Sequence, residues 1–173
     1  FLLEKHGGVW ADATLWCNSP LDTWLPENDF LFSNPRPSIR ISNWFISKYD
    51  GKIIDHWAAY VRSYLNQIVT TQRYPSGPGW HHSLFETVYQ REPSVKKNWD
   101  SYHKLSSQIH THDGPHKFTP YPKHFNMPIS DQLKDDVLNY DQPMYKLSHK
   151  VSYIRESVVP WLFTTLDKRE LDN

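Results

Sequence analysis

The stretch GGVWADAT, at residues 7–14 of this 173-residue chain, decides the fold prediction. Residues 1–6 are the expected last turn of a helix, which the two glycines end, since glycine adopts the positive φ that a helix C-terminus often requires. From residue 9 to 16 the chain is apolar on both faces apart from Asp12 and Thr14, which predicts a buried central strand. A buried carboxylate is costly unless it is hydrogen-bonded, paired or bound to a metal, so Asp12 requires a structural or chemical role.

Outward from this strand, the sequence predicts a small sheet followed by helices. Short strands are expected where β-branched and aromatic residues stand between turn-forming residues, and the sheet is expected to end near residue 42. Beyond residue 50, apolar residues recur at helical spacing. The expected elements are strands at residues 30–33 and 39–42, and helices at residues 50–68, 80–92, 95–105, 131–138 with Ser130 as the N-cap, and 153–166 with a kink at Pro160.

The composition excludes several classes of partner. The chain has 19 basic and 19 acidic residues, so no net field attracts nucleic acid, and we expect no nucleic-acid partner. The single cysteine, Cys17, excludes an internal disulfide; we expect it to be buried, with no disulfide-linked partner. No apolar run approaches the roughly 20 residues that a membrane-spanning helix needs.

Three segments of the chain resemble one enzyme family. The stretch GGVWADAT, followed by PLD at residues 20–22, resembles the donor-site segment of glycosyltransferases that carry an Asp-x-Asp motif. Its form is most similar to that of the capsular polysaccharide synthesis family, which is related to family 32 glycosyltransferases. The segments ISNWFI, at residues 41–46, and YKLSHK, at residues 145–150, resemble two later segments of that family in the same order.

This resemblance implies the C-terminal portion of a GT-A-type α/β fold, with a small central sheet flanked by helices. It implies a single glycosyltransferase domain over residues 1–173 that lacks its N-terminal part, with residues 151–173 as a C-terminal helical extension. In such folds an aspartate at the end of a central strand holds a divalent cation against the donor's diphosphate. Mn²⁺ or Mg²⁺ suits this role because hard cations prefer carboxylate and phosphate oxygens, so Asp12 is the expected catalytic and metal-binding residue.

Thr14 departs from the Asp-x-Asp motif, because a hydroxyl stands where the second carboxylate is expected. A hydroxyl is the weaker metal ligand, so binding of a sugar or ribose hydroxyl by Asp12 is an alternative. If the segment around Lys146 is helical, Lys146 and Lys150 lie one turn apart and form a diphosphate clamp with His149; a solvated basic face is the other interpretation. The donor-binding residues that the resemblance implies are Gly8, Trp10, Asp12, Thr14, Asn43, Lys146, His149 and Lys150.

Trp80, His82 and Glu86 are the candidate acceptor-binding residues. They lie at the start of a predicted helix that follows a loop rich in glycine and proline. An aromatic face there would stack on an acceptor sugar, and a helix puts His82 and Glu86 on one face. The alternative is a tryptophan in the core with histidines on the surface.

The implied function is transfer of a hexosyl group from a nucleotide-sugar donor to a saccharide acceptor in capsule-like polysaccharide synthesis, metal-assisted and with retention of configuration. We expect a cytoplasmic location, with peripheral membrane contact through residues 161–163 kept open against core packing. One alternative function is an inactive or non-catalytic carbohydrate-binding fragment. Another is a zinc-binding module built on His110, His112, Asp113 and His116.

Overall fold

The described part of the chain has a mixed α/β structure with a small antiparallel sheet and six helices, which confirms the α/β class, while the GT-A assignment stays a prediction. The computed structural model describes residues 1–34, 40–49, 51–71, 79–102, 104–109, 113–118, 127–149 and 152–169. In chain order, its helices and strands are α1 (Leu2–His6), β1 (Gly8–Ala11), β2 (Leu15–Cys17), β3 (Phe30–Ser33), β4 (Ile41–Lys48), α2 (Lys52–Thr71), α3 (Trp80–Arg91), α4 (Pro93–Ser101), α5 (Asp131–Leu138), β5 (Met144–Lys146) and α6 (Val158–Arg169).

These elements form two compact units. Unit 1 comprises Phe1–Asp12 and Leu25–Ser107, and unit 2 comprises Ala13–Trp24 and Gln108–Asn173. The chain therefore passes from one unit to the other inside the GGVWADAT stretch. The single-domain interpretation stays a prediction.

Unit 1 contains a three-stranded antiparallel sheet with the strand order β1-β4-β3. Strand β1 pairs with β4 from Gly8 opposite Lys48 to Ala11 opposite Phe45. All four residues of β1 are exposed, so the predicted buried central strand is wrong: the apolar stretch is divided between two short strands. A turn at residues 13–14 separates β1 from β2, and each of these strands has one described partner strand.

Strand β4 is the central strand of this sheet. It runs from Ile41 to Lys48, so the sheet does not end near residue 42 as expected. The polar Asn43 interrupts the apolar pattern and is exposed, while the following Trp44 and Phe45 are buried. Simple alternation does not explain this, but the pairing of β4 with β3 is irregular here, since Leu31 lies opposite Ile46 and Ser33 opposite Ile41.

Unit 1 also contains the short α1 and the helices α2, α3 and α4; α2 and α3 lie close to the positions that the apolar spacing predicted, whereas α4 ends at Ser101 and not near residue 105. Helix α3 ends at Arg91, before Pro93, which starts α4 instead of interrupting a helix. The helices contribute most of the core. Its buried members are Leu31, Ile41, Ile53, Ile54, Trp57, Phe85, Val88, Tyr89, Val95 and Trp99.

A buried aspartate joins β3 to the start of α2. The carboxylate of Asp29, only 1% exposed, accepts backbone N–H bonds from Gly51 at 3.1 Å and Ile54 at 2.9 Å, with a longer one from Tyr49 at 3.4 Å. Burial raises the pKa of Asp29, and the three N–H donors oppose that rise. Asp29 therefore acts as an N-cap for α2 from a distant position in the chain.

Unit 2 contains the antiparallel pair β2-β5 and two helices. Helix α5 is confirmed, because the Ser130 hydroxyl accepts the Leu133 N–H and caps it. The predicted start of the last helix at residue 153 is wrong. Helix α6 begins at Val158, so Pro160 lies in its first turn, where a proline breaks no intrahelical bond and the predicted kink does not arise.

Two side chains of unit 2 lie differently from expectation. Cys17 is exposed rather than buried, because it ends β2 and its thiol donates to the Ser19 carbonyl oxygen. Of the apolar residues 161–163, Leu162 is buried in the core of unit 2. Phe163 is 60% exposed, and one side of its ring packs edge-on against Trp16 at 5.7 Å between centroids.

Candidate functional site

Asp12 is placed by the sheet of unit 1. It follows β1 directly, and its backbone N–H donates to the Trp44 carbonyl oxygen at 2.9 Å. The Trp44 ring is buried against Phe32, with 4.5 Å between the ring centroids. Asn43, the other candidate donor-binding residue of this sheet, precedes Trp44 and is exposed. The first and second resembling segments are thus paired strands, and Asp12 lies at the end of that pairing.

Thr14 is placed by the strand pair of unit 2. Its carbonyl oxygen accepts the Leu147 N–H at 2.8 Å, and Leu15 lies opposite Lys146. The Lys146 ammonium donates to the Thr14 hydroxyl and, at 3.3 Å, to the Leu147 carbonyl oxygen. The structure therefore brings the first and third resembling segments together, although 132 positions separate Thr14 from Lys146.

The resembling segment that begins at Tyr145 starts in a strand and not in a helix. Lys146 is the last residue of β5, so the helical-turn spacing between Lys146 and Lys150 does not apply. His149 lies at an exposed bend, and Lys150 lies outside the described residues. Within the described chain, Lys146 is therefore the member of the expected clamp that is fixed by neighbouring groups.

Gly8 and Trp10 belong to the exposed strand β1. Gly8 has a φ of +87°, which favours glycine, although a Cβ there would have open space around it. The Trp10 side chain is 51% exposed. It lines an open apolar pocket of about 410 Å³ between α1, α2, β1 and β4. Their assignment to a donor site stays a prediction.

The candidate acceptor residues lie on α3, as predicted, and each contacts other side chains. Trp80 stacks on Tyr64, with 5.8 Å between ring centroids and an interplanar angle of 25°. His82 is partly buried, and burial, followed by the neighbouring His81, lowers its pKa to about 4. His82 is therefore neutral near pH 7, and its ring offers hydrogen bonding but no positive charge.

Glu86 forms an ion pair that the sequence did not reveal. Its two carboxylate oxygens accept from Arg40 Nε and an Arg40 terminal nitrogen, each at 3.0 Å, and one oxygen also accepts from Gln90. The Arg40 guanidinium lowers the pKa of Glu86. Arg40 also lies over the Tyr89 ring, 3.7 Å from its centroid. No local pattern links residues 46 positions apart, and acceptor binding by Glu86 stays a prediction.

The described residues were compared with the ligand sets that metal ions require. Among them, no group of three or more histidine, cysteine, aspartate or glutamate side chains could hold a metal ion. His110 and His112 of the zinc alternative lie outside the described residues. His116 is 3% exposed in a short 3-10 helix, Gly114–His116. Metal binding by Asp12 stays a prediction.

Two backbone contacts that place the site residues were missed by sequence reasoning. They are the bonds from Asp12 to Trp44 and from Leu147 to Thr14. Backbone hydrogen bonds do not depend on particular side chains, so no single residue indicates which strands pair. The order of the three resembling segments along the chain was the signal that could have suggested this pairing. None of the helices in the described ranges has the length and hydropathy to cross a membrane.

Comparison with known proteins gives one match. Neither the curated proteins nor the solved structures that were searched contain a significant match to this chain. A family model described as capsular polysaccharide synthesis protein matches residues 1–164. That range includes all three resembling segments and nearly the whole chain. The chain therefore belongs to the capsular polysaccharide synthesis protein family.

Proposed function

We propose that the chain is a glycosyltransferase domain with a GT-A-type fold, which moves a hexosyl group from a nucleotide-sugar donor to a saccharide acceptor. Membership in the capsular polysaccharide synthesis family supports a role in making such polymers. The observation that carries the proposal is the pairing of the resembling segments. The end of β1 is bonded to β4 at Asp12, and the start of β2 is bonded to β5 at Thr14.

The chemistry of sugar transfer gives these residues their proposed roles. As the glycosidic bond to the nucleotide breaks, the leaving diphosphate gains negative charge, which a cation or positioned hydrogen-bond donors stabilise. In unit 2, the Lys146 ammonium is the proposed diphosphate ligand, with His149 as a second one. In unit 1, Asp12 is the proposed ligand of a divalent cation or of a sugar hydroxyl, and Asn43 a ligand of the sugar.

A cation at Asp12 is compatible with the single carboxylate. Mg²⁺ and ions like it are commonly held by one or two carboxylates together with substrate phosphates, and not by an all-protein cage. When bound, Mn²⁺ or Mg²⁺ would supply charge neutralisation of the diphosphate. We further propose a cytoplasmic site of action and retention of configuration, without assigning a nucleophile to any residue.

Calorimetry with UDP- and GDP-sugars, each with and without Mn²⁺, tests the proposal. We expect a donor to bind the intact chain and Asp12→Ala to weaken that binding by about 10-fold or more, as loss of a charged ligand does. Asp12→Asn keeps the shape and removes the charge, so it separates ion binding from hydroxyl binding. Glu27→Ala removes an exposed carboxylate of unit 1 that lies outside the resembling segments, and it is the matched control.

The outcomes distinguish the proposed activity from the alternatives. Donor binding that Asp12→Ala loses, together with release of the nucleotide when a saccharide acceptor is added, supports the transferase. Binding of saccharides without any donor would instead favour the carbohydrate-binding alternative. No donor binding by a folded chain under any of these conditions would refute the proposal for this chain.

A further inference from the structure

An apolar pocket of about 410 Å³ lies within unit 1, between α1, α2, β1 and β4. Every residue that lines it is aliphatic or aromatic, and its volume falls in the range of roughly 300–1,000 Å³ that small-molecule sites occupy. Trp57, Ala58 and Val61 form the α2 wall, with the spacing of one helix face. The ring N–H of Trp57 donates to the His81 carbonyl oxygen at 3.2 Å, so this wall presents hydrocarbon to the pocket.

Three side chains of this pocket are exposed to solvent although they are large and apolar. Leu2 is 76% exposed, Phe1 57% and Trp10 51%. Water in an apolar pocket finds few hydrogen-bond partners, so a hydrocarbon that replaces it gains the free energy of burying both apolar surfaces. A sugar or phosphate group inside the same pocket would lose its hydrogen bonds to water and find no replacement in the lining side chains. The lining therefore selects hydrocarbon.

Charged groups beside the pocket are paired with one another. The Arg62 guanidinium lies 5.1 Å from the centroid of the Phe1 ring and forms an ion pair with the Glu4 carboxylate. The Lys48 ammonium donates to the Asp55 carboxylate and, at 2.8 Å, to the Glu4 carbonyl oxygen. A ligand whose polar end lies at the mouth of the pocket therefore meets cations that carboxylates already compensate, which favours a neutral end group over a charged one.

The size of the pocket favours a small ligand over a protein partner. Each side of a stable protein interface buries roughly 800 Å², and an aromatic side chain supplies about 150–250 Å² when fully buried. Phe1, Leu2 and Trp10, each already partly covered, supply less than that area. At roughly 30 Å³ for each water-sized group, the pocket holds a chain of about a dozen carbon atoms.

We propose that the pocket binds the hydrocarbon chain of a neutral amphiphile, such as an alkyl glycoside, whose uncharged head group stays in solvent at the mouth. This inference goes beyond sugar transfer, since binding of the chain requires neither a nucleotide-sugar nor a metal ion. All of the residues that form the site belong to unit 1.

Calorimetry of the intact chain with octyl, decyl and dodecyl maltoside, each below the concentration at which it forms micelles, tests this inference. We expect affinity to rise about fourfold for each added methylene group. The heat-capacity change of binding should be negative, because apolar surface is buried. Maltose, which lacks the chain, should not displace dodecyl maltoside. Nonanoate carries an eight-carbon chain on a charged carboxylate and should bind no more tightly than octyl maltoside.

Two substitutions in α2 localise the binding. Ala58 lines the pocket and Ala59 is exposed to solvent, so Ala58→Leu and the matched control Ala59→Leu add the same carbon atoms at neighbouring positions. Ala58→Leu should displace about three methylene groups of a chain that fills the pocket and so weaken binding of dodecyl maltoside about 10- to 60-fold. The shorter octyl maltoside should change by less than about threefold. Ala59→Leu should leave both affinities unchanged.

A second pair of variants decides the outcome if circular dichroism shows that Ala58→Leu loses its structure. Leu2→Ala removes an exposed side chain of the pocket wall and should weaken binding of dodecyl maltoside about 3- to 10-fold. Leu138→Ala removes an exposed leucine of unit 2 and should leave that affinity unchanged.

Several results would overturn the inference. They are an affinity that does not depend on chain length, equal effects of Ala58→Leu and Ala59→Leu, displacement of the ligand by maltose, and tighter binding of nonanoate than of octyl maltoside. Dimerisation of the original chain that Ala58→Leu abolishes, measured by sedimentation, would also overturn it, because a second copy would then cover the pocket. Binding with the expected pattern supports the inference whether or not the chain transfers a sugar.

Discussion

Replacing Gly51 by alanine should destabilise the chain through a contact with Asp29, and removing Asp29 should reverse the sign of that effect. A Cβ at Gly51 would lie 2.6 Å from Asp29 Cγ and 2.8 and 2.9 Å from its two oxygens. Asp29 is a short side chain, buried and held by backbone donors that include Gly51 and Ile54. It has little room to move away.

The magnitude follows from two opposing effects. Overpacking a rigid, buried site costs about 1–3 kcal/mol, whereas a glycine-to-alanine change at a permitted conformation gains about 0.4–1 kcal/mol from the unfolded chain. Gly51 is not among the glycines with positive φ, so that gain applies. We expect Gly51→Ala to cost about 1–2 kcal/mol net. Asp29→Ala should cost about 2–3 kcal/mol, because the N-cap of α2 and other buried donors lose their acceptor.

A double-mutant cycle measured by urea unfolding and tryptophan fluorescence tests this reasoning. In the Asp29→Ala background the contact is gone, so Gly51→Ala should stabilise the chain by about 0.5 kcal/mol. The coupling between the two positions is then roughly 2 kcal/mol, well above the error expected for independent sites. Equal costs of Gly51→Ala in both backgrounds would show that a side chain at residue 51 does not contact Asp29 and would refute this reasoning.

Two further predictions concern the titration of α3 and the anchoring of β2. His82, with its pKa lowered from 6.5 to about 4, stays neutral in the folded chain while it protonates in the unfolded chain. The stability that depends on neutral His82 is therefore present above pH 6.5 and is lost as the pH falls toward 4. Over that range the free energy of unfolding should fall by up to about 3 kcal/mol more in the original chain than in His82→Gln. The Asn18 amide donates to the Val137 and Gln142 carbonyl oxygens, both at 3.0 Å; Asn18→Ala should cost about 1–3 kcal/mol in urea unfolding, and a cost below 0.5 would contradict these bonds.

The long helices were predictable from sequence because their apolar spacing matches the helical period over many residues. Ile53, Ile54 and Trp57 are buried in the core of unit 1 as that spacing requires. The cap of α5 was predictable as well, since Ser130 stands directly before the helix and its hydroxyl accepts an N–H bond there. Signals of this kind are local, so they can be recognised without knowing which residues lie nearby in the folded chain.

The strands were harder to predict because pairing decides them. The apolar run from residue 9 to 16 has the composition of one buried strand, but a turn at residues 13–14 divides it, and its two halves pair with β4 and β5. Strand β5 has only three residues, too few for any periodic signal. The spacing of Lys146 and Lys150 therefore suggested a helix, whereas pairing with the distant strand β2 places Lys146 in a strand.

For the candidate site, the sequence indicated which segments matter but not how they are held. The resemblance selected Asp12, Asn43, Thr14 and Lys146, and the structure pairs their segments within each unit. The Arg40 partner of Glu86 was missed. An ion pair between distant positions depends on tertiary packing, and no spacing rule reports it.

The division of the chain between Asp12 and Ala13 makes the two halves of the motif separable by experiment. Asp12 is fixed by a backbone bond to β4 of unit 1, and Thr14 by a backbone bond to the segment after β5 of unit 2. Because backbone bonds hold both positions, side-chain substitutions there should change ligand chemistry more than they change the fold. Loss of the Asp12 carboxylate should therefore reduce donor binding without unfolding unit 1, which calorimetry and circular dichroism of Asp12→Ala would show together.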